Sequence, residues 1–381
     1  MISKTTAALL VSFAWLLCCT AQVTVKKGAV NLRLDGISGN EGPQVTSLLQ
    51  LHLSRSGVVN LTPTGEDGVI TGSASGGTLM GRLLDSNGRE YISRTYTGDW
   101  RDNANRFADL IVETLTGQKG IATTRIAFIS KRTGQKELYI MDISGQRVVQ
   151  LTRDNTLCGS PAIDHAGQRI AYTSYRSGFP DIYVVDLQTY RRRRIAEFPG
   201  INSGAAWAPN GLQLAATLSF EGNPEIYVLP AAGGTPQRIT RAHGTDSSPT
   251  WSPDGREIIY VNDDPGSPRL MRIILAEGKA MPLRTGQPYA TEPDWSPDGK
   301  RIAFNARVAG RNHIFVMELD SGEVRQLTSG NTDFEDPSWT RNSRHLVCAS
   351  NGTLLLLDAI TGQSYVINNE ISQCSEPSCS R

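Results

Sequence analysis

From about residue 120 onward, short apolar runs alternate with clusters of Gly, Pro, Asn and Asp. Arg169-Ile-Ala-Tyr-Thr-Ser, Glu257-Ile-Ile-Tyr-Val-Asn and Arg301-Ile-Ala-Phe-Asn-Ala share one pattern. Asp181-Ile-Tyr-Val-Val-Asp, Glu225-Ile-Tyr-Val-Leu and His313-Ile-Phe-Val-Met-Glu share another. β-Branched and aromatic residues at this density, bounded by turn formers, predict strands. The polar segments between the runs repeat too. Ser248-Pro-Thr-Trp-Ser-Pro-Asp-Gly255 returns as Glu292-Pro-Asp-Trp-Ser-Pro-Asp-Gly299, with weaker copies closing at Gly167, Gly211 and Ser343. Each step is 44 residues. Four strands per unit of this length predict the blades of a β-propeller.

The turn chemistry accounts for the motif. Ser-Pro-Asp-Gly puts Pro where φ is already near −65° and Gly where φ turns positive, which suits a tight reversal between the first two strands. The Trp ahead of it offers a large surface for packing between blades. Trp207, Trp251, Trp295 and Trp339 are therefore expected to be structural, with carbohydrate stacking as the lesser alternative.

Counting the units fixes closure. Arg125–Ser130, Glu137–Asp142 and Arg147–Thr152 match strands two, three and four of a unit with no first strand before them. The C-terminal Glu376-Pro-Ser-Cys-Ser-Arg381 resembles the missing first strand, so six blades and a ring sealed from the C-terminus are expected. The sixth unit is four residues short and lacks Pro-Asp-Gly in its turn.

Residues 22–119 do not repeat. Val23 to Leu34 alternates like strands, Glu41 to Ser56 reads as a helix, and Leu79–Leu84 and Arg89–Tyr96 read as strands joined by a turn at Asp85–Gly88. Asp102 to Leu115 carries Phe107, Leu110, Ile111 and Leu115 on one helical face, ended at Thr116-Gly117. The predicted class is α+β: a small α/β domain over 22–119 with a mostly antiparallel sheet, then a six-bladed β-propeller over 120–381.

Residues 1–21 join Lys4 to an apolar run, Ala7 to Cys19, and end at Thr20-Ala21, which reads as a secretory signal peptide cut after Ala21. A membrane-anchoring helix is disfavoured because the run is short for a span. The full chain has a formal net charge of +1, which gives no support to nucleic-acid binding. Beyond the leader stand Cys158, Cys348, Cys374 and Cys379. Cys158 and Cys374 hold the same repeat position in neighbouring blades, so a Cys158–Cys374 disulfide is one expectation. A Cys374–Cys379 bridge and four free buried thiols are the others. Their spacing does not support zinc.

The α/β region, the junction Leu115-Thr-Gly-Gln-Lys-Gly120, then Thr124-Arg-Ile-Ala-Phe128 and six blades with Trp-Ser-Pro-Asp-Gly turns together resemble the TolB family of periplasmic propeller proteins of the Tol-Pal envelope system. The resemblance implies a non-catalytic scaffold without cofactor or metal, a monomer by itself. It would bind a Pal-like peptidoglycan-associated lipoprotein through the propeller and the C-terminal domain of a TolA-like protein through its N-terminal region. The positions matching the family's Pal-binding loops lie ahead of the inner strands: Asn202, Ser203, His243, Thr245, Asp246, Gln287, Glu292, Asp333 and Glu335. Asp246, Glu292, Asp294, Asp333 and Glu335 are expected to line one acidic mouth. The N-terminal region is short against the family pattern.

The chemistry of competing classes is weak. The chain has no Gly-x-Ser-x-Gly elbow and no phosphate-binding Gly-Lys-Ser/Thr loop. Arg191–Arg194 reads as a solvated strand edge, with contact to an anionic lipid or polymer as the alternative. Two further readings stand beside the scaffold: an exported propeller that binds cell-wall carbohydrate or another envelope protein, and a hydrolase or lyase that uses channel acids.

Overall fold

The computed structural model describes residues 28–367 and 371–381; the leader reading over 1–21 and the strand reading before Val30 lie outside them. A five-stranded sheet comes first, with strands β1 (Val30–Leu34), β2 (Val59–Leu61), β3 (Gly68–Ser75), β4 (Thr78–Asp85) and β5 (Glu90–Thr97) in the order β2-β1-β3-β4-β5. It is mixed rather than mostly antiparallel: β1 runs parallel to both β2 and β3, and the β3-β4-β5 meander is antiparallel. Two helices, α1 (Gly42–Ser54) and α2 (Trp100–Thr116), pack on the sheet and on each other. Asp99 caps α2 by accepting the N–H groups of Arg101 and Asp102, and Gly117 ends it at φ 70°. Leu49, Leu53, Ile70, Leu83, Phe107 and Ile111 form its core.

Six four-stranded antiparallel sheets follow. Blade one is built from Arg125–Ser130, Glu137–Asp142 and Val149–Gln150, and its innermost strand is Cys374–Cys379 from the far end of the chain. The inner strands of blades two to six are Cys158–Ile163, Asn202–Trp207, Asp246–Trp251, Ala290–Trp295 and Glu335–Trp339. The four tryptophans are buried between blades. Trp207, Trp251 and Trp339 donate Nε1–H to the carbonyls of Ala162, Ala206 and Asp294, each on the preceding blade's inner strand; Trp295 donates to Gly299 in its own turn. Arginines opening the second strand tie the ring together. Arg125, Arg169 and Arg301 donate to the turn carbonyls of Gly167, Gly211 and Ser343 on the next blade.

The short sixth unit keeps its inner turn. Ser343 stands at φ 55° where the other turns place Gly, and its N–H bonds the Thr340 carbonyl at 3.1 Å. The loss falls in the next hairpin. His345–Ser350 and Thr353–Asp358 are joined by Asn351-Gly352 alone, both at positive φ, the turn that a two-residue hairpin requires.

Among the described residues the cysteines form no disulfide: Cys158, Cys348, Cys374 and Cys379 are free and buried. Cys158 packs in the layer between blades one and two, and Cys374 in the layer between blades six and one. Equivalent repeat positions point the same way around the ring, so the two thiols face opposite sides of the blade-one sheet. Cys374 and Cys379 sit at opposite ends of one extended strand, beyond the reach of a bridge.

Candidate functional site

Each inner strand enters the channel through the same backbone device. Ser160, Gly204, Ser248, Glu292, Asp336 and Glu376 all have φ between 49° and 61°, and each sits at a register break against the second strand. Such a bulge re-aims the strand and leaves one residue out of the ladder. Here these six residues line the channel mouth, a space of about 480 Å³.

The column reads Ser, Gly, Ser, Glu, Asp, Glu, so the acids occupy three adjacent blades, five, six and one. Glu292 accepts the N–H of Asp336 at 3.1 Å, Asp336 accepts that of Glu376 at 3.0 Å, and Glu376 accepts that of Ser160 at 2.5 Å. Glu292 also accepts from Asn305, and Lys136 Nζ lies 2.8 Å from Glu376 Oε1. The carboxyls thus form a belt that satisfies the N–H groups the bulges free. Burial, and the acids beside them, push Glu292 up and Asp336 well above the ordinary carboxylate range. One layer deeper, Asp294 accepts the N–H of Trp339 at 2.7 Å and is paired with Arg381.

The predicted contact residues fall into two groups. His243 and Glu335 are exposed, while Ser203, Thr245, Gln287, Glu292 and Asp333 are half-buried at the same face. Glu335 accepts from Asn312 Nδ2 at 2.7 Å, Asp333 pairs with Arg311 at 2.9 Å, and the Thr245 N–H is held by Asp263. Asn202 and Asp246 differ: both are fully buried. Asn202 Nδ2 donates to the carbonyls of Phe198 and Pro180, and Asp246 accepts from Asn262 at 2.7 Å. Burial lifts the Asp246 carboxyl to about 6, with Glu225 beside it. Asp246 is therefore not part of an acidic mouth, and Asp294 lies deeper in the channel. The acids of the mouth are Glu292, Asp336 and Glu376, with Glu335 at the rim. Reading the residue ahead of the inner-strand Pro, which five of the six repeats carry and blade three replaces with Ala205, would have found the belt.

The Arg191–Arg194 run lies at the fourth strand of blade two, and three of its members are engaged. Arg192 pairs with Asp154, Arg194 with Asp181, and Arg193 donates to the Ala231 carbonyl.

The α/β region meets the other end of the ring, at the turns joining first to second and third to fourth strands. Arg147 pairs with Asp99 and Asp102, Arg341 lies near Asp109, and Arg55 stacks over Tyr365. The mouth with the belt is thus the free face.

The chain is a six-bladed β-propeller sealed by a strand from its own C-terminal region, with a small α/β unit on one face and an acid-belted channel mouth on the other. It belongs to the TolB β-propeller domain family, whose model matches residues 112–380. A protein TolB homolog of Chlorobaculum tepidum is 38% identical over 103 residues, 26% of this chain and 24% of the relative. A Tol-Pal system protein TolB of Geobacter metallireducens is 37% identical over 103 residues, 26% and 24%. The match thus spans about a quarter of the length of these curated relatives. The crystal structure of TolB from Acinetobacter baumannii superposes with a TM-score of 0.82 at 24% identity, covering 92% of this chain and 96% of that one, which establishes a shared fold.

Proposed function

We propose that this protein is a non-catalytic periplasmic scaffold of a Tol-Pal-like envelope system. In this reading its leader is removed after Ala21, and its channel face binds a Pal-like peptidoglycan-associated lipoprotein. Its N-terminal region meets the C-terminal domain of a TolA-like protein, and the assembly serves outer-membrane integrity and cell division. The reading rests on membership of the TolB propeller family together with relatives named as Tol-Pal system proteins. The chemistry of the mouth supports binding over turnover. Its three carboxyls each accept a backbone N–H of the next blade, so they are engaged in holding the ring. His243, Glu335 and the loops around them offer a polar rim around that mouth.

The test is calorimetric titration of the full mature chain with the soluble domain of the peptidoglycan-associated lipoprotein from the same organism. Saturable one-to-one binding, weakened at least fivefold by His243→Ala or Glu335→Ala, is the expected result. No heat of binding at micromolar concentrations overturns the reading.

A further inference from the structure

The belt closes only half of the ring. On blades five, six and one a carboxyl at the bulge accepts the bulge N–H of the next blade: Glu292 that of Asp336, Asp336 that of Glu376, and Glu376 that of Ser160. On blades two, three and four the same place holds Ser160, Gly204 and Ser248. The N–H groups that follow them belong to Gly204, Ser248 and Glu292. These sit at register breaks, outside the ladder, and meet no acceptor among the described residues.

A second tier, two residues further along each inner strand, is open on the same side. Ser378, Thr250, Asp294 and Ser338 accept the N–H groups of Ile163, Trp295, Trp339 and Cys379 at 2.7–3.3 Å. On blades two and three that place holds Ala162 and Ala206, which bring no side-chain acceptor to Trp207 and Trp251.

Gly204 is the clearest gap. A Cβ at this position would lie 3.7 Å from Thr217 Oγ1 and 3.9 Å from the Ser248 nitrogen, and would meet nothing closer beyond its chain neighbours. Glu292, its blade-five counterpart, has φ 51° against 61° for Gly204. The Glu292 carboxyl accepts from the Asp336 N–H and from Asn305, and Thr217 takes the register place of Asn305 in blade three. Blade three is thus the blade-five carboxylate clamp without its carboxylate. It opens on the channel mouth, whose volume of about 480 Å³ is within the range of ligand pockets.

The three occupied copies select the chemistry: each holds a carboxylate, the acceptor that makes the stronger, charge-assisted bond to a backbone N–H. Blade three stands across the six-bladed ring from blade six, so a carboxylate added there is remote from Asp336. The Glu292 carboxyl is itself turned toward blade six, and Lys136 lines the same mouth. We propose that the gap at Gly204 binds an Asp or Glu side chain of an incoming protein segment, which completes the belt. The segment's carbonyl oxygens then meet the deeper N–H groups of Trp207 and Trp251. This inference rests on the reading of the mouth as a protein-binding face and names the group a partner brings to it.

Amide NMR on the full mature chain, deuterated, tests it. The probes are the peptide acetyl-Gly-Ser-Glu-Ser-Gly-amide and its counterpart with Gln in place of Glu. The expected result is a saturable shift of the Ser248 N–H at millimolar Glu peptide, with binding about fivefold weaker for the Gln peptide. In Gly204→Glu the variant's own carboxyl should occupy the place, shifting the Ser248 N–H without peptide and abolishing peptide binding. An unmoved Ser248 N–H, equal affinity for the Gln peptide, or peptide binding unchanged in Gly204→Glu would each overturn the site. The Glu-against-Gln comparison needs no variant and decides alone if Gly204→Glu fails to fold. No lipoprotein enters the experiment, so this site and the proposed partner fail separately.

Discussion

Cys158 and Cys374 occupy the same place in the repeat and are held on opposite sides of one sheet, the blade-one sheet that Cys374 itself opens. Burial raises the Cys374 thiol to about 11 and the Cys379 thiol to about 12, so little thiolate is present at neutral pH. Thiol titration of the mature chain should therefore find almost no reactive cysteine in the native state and four after unfolding, without reductant. Two or fewer after unfolding would mean that a bridge has formed.

Trp339 is fully buried, donates to the Asp294 carbonyl and lies beneath Arg301. Trp339→Ala should cost about 3–5 kcal/mol by urea denaturation, because the rigid blades cannot collapse into the space. A loss below about 1 kcal/mol would remove Trp339 from the inter-blade core.

Two ion pairs should behave differently. Arg344–Asp358 is nearly buried, at 12% and 4% side-chain exposure, and Arg344→Ala leaves a buried carboxylate unpaired. A loss of about 3–5 kcal/mol is expected. Arg147 meets Asp99 and Asp102 in the open, so Arg147→Ala should cost under ~1 kcal/mol. Equal losses would contradict the burial argument.

The belt predicts a pH dependence. Glu292 and Asp336 titrate higher in the folded state than in the unfolded chain. The folded state then binds more protons, so their contribution is present at low pH and is lost as pH rises through their folded values. Asp336→Asn keeps an acceptor for the Glu376 N–H and removes the repulsion. Its thermal midpoint should exceed that of the unmodified chain at pH 7.5 and converge with it near pH 4. A midpoint at or below that of the unmodified chain at pH 7.5 would show that repulsion between the carboxylates does not weaken the belt.

Histidines act in the opposite direction. Burial lowers His52, His165 and His345 to about 4, so their contribution is present above about 6.5 and is lost as pH falls toward 4. His52 Nε2 lies 3.0 Å from Asn105 Oδ1, a contact that Gln can replace. His52→Gln should flatten part of the acid-side fall in urea midpoint; an unchanged slope would exclude His52 as a contributor.

The ring itself was legible because a 44-residue step is a property of sequence alone. Its closing strand was legible because Glu376-Pro-Ser-Cys repeats an earlier opening. Strand β3, Gly68-Val-Ile-Thr-Gly-Ser-Ala-Ser75, carried too many small residues to announce itself. The four missing residues of unit six had no visible address, since only strand pairing assigns them to the Asn351-Gly352 hairpin. Asn202 and Asp246 read as loop polars because they precede an inner strand, yet the first residue of that strand points between blades. The belt needed comparison down a repeat column, where position 376 comes 40 residues after 336 rather than 44.

The seam in blade one also sets an order of events. Ile126 pairs with Cys379 and Ser130 with Cys374, partners about 250 residues apart. Blade one lacks its inner strand until that distant segment has been made, and joining the ends costs on the order of 5 kcal/mol in chain entropy. Blades two to six each hold their four strands within one local stretch. Translation can therefore deliver five nearly finished blades while the circle stays open, leaving an uncommitted, threadable chain until the final strand arrives.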